Sequence, residues 1–129
     1  GPSPLISNKT FLEAAAGILA AEAYHAGLVR TVLYRKGLQA PALIDASEAI
    51  SNARDSLDGS TDLDQGLRPR STQFGEGTNI VPTDNNAIVF SRTTGQVLNI
   101  AYLTAMSTTG GGFFPNGVNG NLRMSAASS

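Results

Sequence analysis

The chain has 129 residues, 41% of them hydrophobic and 15% charged, with 9 basic against 10 acidic side chains and a net charge of -1. That length allows one domain at most, and the composition suits a globular chain better than a disordered one. No basic face follows from so even a charge balance, so neither nucleic acid nor an anionic membrane is expected as a partner. With no cysteine, disulfides, thiolate metal sites and cysteine nucleophiles are excluded.

The opening Gly1-Pro2-Ser3-Pro4 has no initiator Met and no signal-peptide pattern, and reads as a processed end with something upstream removed. The first strong element is a helix expected over 10–35. Thr10 and Glu13 have capping-box spacing, with Ser7 or Asn8 as caps if the helix begins earlier. Arg35 and Lys36 complement the negative end of the helix dipole, and Gly37 suits the position just past it. The inward face is expected to run Phe11, Ala15, Ile18, Glu22, His25, Val29 and then Val32 or Leu33, the alternating four-three spacing of one helical stripe. The longest apolar stretch, 14–21, ends at Glu22 and is too short to span a bilayer. Many residues are small, including Gly17 and Gly27, each of which costs about 1 kcal/mol relative to Ala in a helix. Close packing on more than one side explains them better than an isolated surface position.

A second helix is expected over 45–57, with Asp45 and Glu48 at capping-box spacing, a narrow stripe of Ala46, Ala49, Ile50, Ala53 and Leu57, and Gly59 as the stop. Residues 60–90 carry little periodicity and much Gly, Asp, Asn, Thr and Pro, the signature of a long loop wrapped over a surface. Two short runs, 79–81 and 87–90, are expected to be extended and half buried. Thr93 with Gln96 opens a third helix over 93–104, burying Val97, Leu98, Ile100 and Ala101. A glycine-rich turn segment follows over 110–121, anchored by Phe113 and Phe114, and the tail from Met124 is expected to fray.

Glu22-x-x-His25 is the one arrangement with metal-site character, because residues three apart on a helix project from the same face. The competing reading pairs Glu22 with an arginine and satisfies His25 on a carbonyl. His25 is the sole histidine, and no Gly-x-Ser-x-Gly elbow accompanies it, so a serine triad is not supported. The glycine clusters 75–77 and 110–112 lack the context and the lysine of a phosphate loop and read as turns. Arg68, Arg70 and Arg92 are expected to bond carbonyls or carboxylates rather than a free anion.

Residues 11–36, FLEAAAGILAAEAYHAGLVRTVLYRK, resemble the last bundle helix of the ferritin-like, desiccation-related protein family. The segments IVPTD (80–84), FSRT (90–93), QVLNI (96–100) and GGFFPNGVNG (111–120) are similar to that family's C-terminal extension. The resemblance implies a mainly α fold, a partial ferritin-like helical bundle with long irregular C-terminal loops, and chain 1–129 as the C-terminal portion of such a domain. It also implies three earlier bundle helices not contained here, with Glu22 and His25 as the residues that carry over as metal ligands. The expected function is that of a non-enzymatic, stress- or desiccation-related structural or interaction protein with no cofactor. It would pack against a protein partner, an N-terminal fragment or copies of itself. The alternative is a di-metal ferritin-like oxidoreductase or iron-handling protein using iron or manganese; a third reading is an accessory subunit of a larger complex. Export, to the extracellular space, a periplasm or an organelle lumen, is implied by the resemblance alone.

Overall fold

The structure, a computed structural model, describes residues 3–72 and 75–127. It is mainly helical. After a short 3₁₀ turn at Ser3–Leu5 come α1 (Lys9–Gly37), α2 (Ala42–Asp55), the strands β1 (Arg70–Thr72) and β2 (Gly75–Gly77), and α3 (Thr94–Tyr102). The strands form an antiparallel pair in which Ser71 faces Glu76. The chain divides into two compact units, one built from Pro2–Ala49 with Gly66–Phe90 and the other from Ile50–Gln65 with Ser91–Ser129.

In the first unit α1 begins one residue before the expected start. Asn8, not Thr10, is the N-cap, and its Oδ1 accepts from the amides of Thr10 at 3.0 Å and Phe11 at 3.2 Å. Gly37 is the last helical residue rather than the one beyond it. Its lack of a side chain serves packing, since a Cβ there would overlap the Ile44 side chain of the following helix. The second helix also begins early, at Ala42, because the Pro41 carbonyl accepts from Ile44 and Asp45. Asp45 and Glu48 do not form the expected capping box. Asp45 pairs with the Arg68 guanidinium, and Glu48 Oε1 accepts from the Arg68 amide at 2.8 Å. Gly66 makes room for that carboxylate, because a Cβ there would overlap it.

The β1–β2 pair interrupts the loop expected over 60–90, and the irregular residues on either side of it are tied to α1. Arg30 Nε donates to the Ile80 carbonyl at 2.9 Å, and its Nη2 donates to the carbonyls of Gly66 at 2.6 Å and Asn79 at 2.5 Å. Asn79 Nδ2 adds a bond to Gly66 O at 3.1 Å. Backbone acceptors with no ladder to join are thereby satisfied. Farther along, Asp84 Oδ1 accepts from the amides of Ile88 and Asn86, which hold its carboxyl below the usual range, and Ala87 between them is in the left-handed region. Ile80 and Phe90 are half buried as expected, whereas Val81, Ile88 and Val89 are exposed.

In the second unit the Thr93–Gln96 capping box is present in both directions, and α3 ends at Leu103 in the left-handed region. Its buried residues are Leu98, Asn99 and Tyr102; Val97 is 44% exposed, contrary to expectation. The tail does not fray over its described length. Asn99 Nδ2 donates to Thr104 O at 2.8 Å and Ala126 O at 2.9 Å, while its Oδ1 accepts from the Ala126 amide at 3.2 Å. Tyr102 Oη donates to Arg123 O, and buried Ser125 bonds Met106 O and the Thr108 amide. The glycine-rich segment docks closely on α3, with the Phe113 amide donating to Ala101 O and no space for a Cβ at Gly112. Phe113, expected as an anchor, is 73% exposed.

An Asn99→Ala chain takes the side-chain donor from two carbonyls, Thr104 O and Ala126 O, and leaves the Ala126 amide only its bond to Gly95 O; a group left buried and unsatisfied costs about 1–3 kcal/mol. The expected outcome is a lower urea midpoint with early loss of hydrogen-exchange protection at Ala126. Unchanged protection there would show that other contacts hold the tail.

Candidate functional site

A helix advances about 100° per residue, so Phe11, Ile18, Glu22, His25, Val29 and Val32 fall within an arc of about 100° on α1. The structure leaves that stripe uncovered: Phe11 is 66% exposed, Ile18 61%, Val29 58% and Val32 46%, and Glu22 and His25 are exposed with them. The inward placement expected for Glu22 and His25 is therefore not supplied by the described residues. A different face makes the contacts. Gly27, Arg30, Tyr34 and Gly37 follow a three-four-three spacing, are partly or fully covered, and include the arginine that gathers the loop carbonyls. The apolar stripe and the contact face share one helix and do not coincide.

Glu22 and His25 sit three residues apart on the exposed stripe and offer a carboxylate oxygen and an imidazole nitrogen, a donor set suited to iron or manganese. Two donors do not close a coordination sphere. Among the described residues no group of three or more His, Cys, Asp or Glu side chains is placed to hold a metal ion. By itself, then, the described chain does not form a complete metal site. The open depression at the end of α1, lined by Val32, Arg35, Lys36, Leu38 and Gln39, carries neither a carboxylate nor a histidine.

The charged residues that the fold does bring together lie in the second unit. Asp58 has a fully buried side chain, and its Oδ2 accepts from Arg92 Nε. Arg92 Nη2 continues to Asp64 Oδ2 at 3.3 Å, and Asp64 Oδ1 accepts from Arg54 Nη2 at 2.6 Å. Asp55 Oδ1 accepts from the amides of Leu63 and Asp64 and so shapes the turn that presents Asp64. Asp58 Oδ1 has no hydrogen-bond partner among the described residues. Arg68 and Arg92 thus pair with carboxylates, as expected for loop arginines. The sequence reading did not single out Asp58 or Asp64; the available signal was the run of aspartates at 55, 58, 62 and 64 beginning beside Arg54. The arrangement is an ion-pair network built for structure, since its basic members are already engaged.

Two comparisons with known proteins bear on the stripe. Residues 1–35 match the ferritin-like domain family. Ferritin-like catalase Nec2 of Nesocodon mauritianus is 28% identical over 95% of this chain and 42% of its own length, so the chain spans less than half of that relative. No solved structure matches.

The two candidate regions separate in a stability measurement. Arg92→Ala leaves the buried Asp58 carboxylate unpaired, and the expected loss is about 3–5 kcal/mol. His25→Ala on the exposed stripe should change stability by no more than about 0.5 kcal/mol. Chemical denaturation of the two variants checks the contrast; equal losses would refute it. Over residues 1–35, which contain most of α1, the chain is thus similar to the ferritin-like domain.

Proposed function

We propose that the chain is the closing helix and C-terminal extension of a ferritin-like protein, with a structural or interaction role in a stress- or desiccation-related, exported setting. The observation that carries the reading is the uncovered stripe of Phe11, Ile18, Val29 and Val32 on a 29-residue helix. Fully burying an aliphatic or aromatic side chain of this size contributes about 1.5–3 kcal/mol. Four such residues along one face form a docking stripe of the width that helices use to pack in bundles. The occupant is the remaining helices of a ferritin-like bundle, which fits a chain spanning 42% of its matched relative. Gly17, on the exposed side of α1, adds to this reading, because no neighbouring atom stands where it would carry a Cβ and another backbone has room to approach.

Light scattering with a thermal melt tests it. The purified chain is expected to associate, through copies of itself or a copurifying helical segment, or to melt broadly when alone. A monomer with a sharp transition overturns the reading.

A second reading is favoured by the position of Glu22 and His25 within the docking stripe and by the relative's name, a catalase. Bundle closure would turn both donors inward, where other helices could complete the ligand set. Iron or manganese held there would supply redox chemistry. The expected signature of this reading is stoichiometric iron or manganese in the complete assembly, lost on His25→Ala together with any peroxide-disproportionating activity. A complete assembly without metal removes it and leaves the structural role.

A further inference from the structure

We propose that Asn8 is the acceptor of an N-linked glycan, a proposal that rests on the export reading above. Asn8-Lys9-Thr10 has the acceptor pattern of an asparagine two residues before a threonine with no intervening proline. No other asparagine of the chain stands two residues before Ser or Thr.

The geometry at Asn8 is compatible with the modification for a specific reason. The residue is exposed, with extended backbone (φ -78, ψ 117), immediately before α1. Its side chain caps the helix through Oδ1 alone, accepting from the Thr10 and Phe11 amides. Among the described residues nothing accepts from Nδ2. In the transfer, Nδ2 forms a bond to the anomeric carbon of a lipid-pyrophosphate-linked oligosaccharide. The bond from that carbon to the pyrophosphate oxygen breaks, the lipid pyrophosphate departs, and Nδ2 gives up one proton; no atom changes oxidation state overall. The product remains a secondary amide with its carbonyl intact. Oδ1 can therefore continue to cap α1 while the sugar occupies the side of the amide that faces solvent.

Position adds a second argument. Asn8 lies at the end of α1, ahead of Phe11, where the docking stripe begins. A glycan there extends from the helix terminus and leaves the stripe from Ile18 to Val32 clear. The cap is preserved, and so is the docking stripe beyond Phe11.

The test translates the full chain behind a heterologous signal sequence in the presence of microsomal membranes. Protease protection reports translocation, and a gel shift reversed by peptide-N-glycosidase reports the glycan. The expected result is a shift of one glycan in the protected chains, absent in Asn8→Gln, Asn8→Asp and Thr10→Ala. Asn8→Asp keeps a capping oxygen, so its loss of the glycan with unchanged helical circular dichroism separates acceptor loss from unfolding. Protected chains without a shift, or a shift that survives Asn8→Gln, overturn the proposal. Because the signal is supplied, translocation here is independent of the export reading. A native protein retained inside the cell would overturn that reading instead.

Discussion

Backbone carbonyls and amides in long irregular segments have no ladder to join, and each one left unpaired away from water is costly. Single polar side chains meet that demand within each unit of this chain. Arg30 gathers the carbonyls of Gly66, Asn79 and Ile80, and Glu48 takes the Arg68 amide. In the other unit Asn99 ties Thr104 to Ala126, and Ser125 joins Met106 to Thr108. The buried apolar residues are few: Leu67, Leu98 and Tyr102 among those described. Side-chain hydrogen bonding, more than apolar burial, gives these segments their definite course.

That division of labour explains why α1 can be anchored and yet uncovered. Its contact face joins the loop through a guanidinium reaching carbonyls and packs on α2 through Gly37 against Ile44. The apolar face is left for something else. An amphipathic helix whose apolar stripe faces water is unusual by itself, and the ferritin-like match over residues 1–35 supplies the architecture in which such a stripe is ordinarily covered. Glu22 and His25 lie within the same stripe, so the structural and the metal-dependent readings ask for the same event, bundle closure. They part only on what the enclosed polar pair then does.

Much of the local structure was legible in advance. The Thr93–Gln96 capping box and the long first helix follow from short-range chemistry that a sequence displays directly, whereas the β1–β2 pair inside the expected 60–90 loop shows no such periodic signal. Errors arose where a distant residue competed for a local partner. Asp45 and Glu48 have the spacing of a capping box, but Arg68, some twenty residues on, takes both carboxylates. Gly37 has the look of a terminating glycine, yet the approach of Ile44 is what requires it. The tail from Met124 is small and polar, features of a frayed end, and only Asn99, Tyr102 and Ser125 show why it is held.

By itself the sequence determined that α1 is a long amphipathic helix carrying Glu22 and His25 on its apolar stripe, because helical periodicity depends only on residue order. It also determined the likeness to the ferritin-like family, whose domain match lies over residues 1–35. Tertiary structure alone decided which face of α1 the rest of the chain uses. That choice depends on where carbonyls fifty residues away come to lie, and Arg30 rather than the apolar stripe meets them. It likewise decided that Asp58 would be buried against Arg92, since ion pairs across such separations leave no periodic trace. The stripe with Glu22 and His25 is consequently a face that the sequence specifies and these contacts leave open.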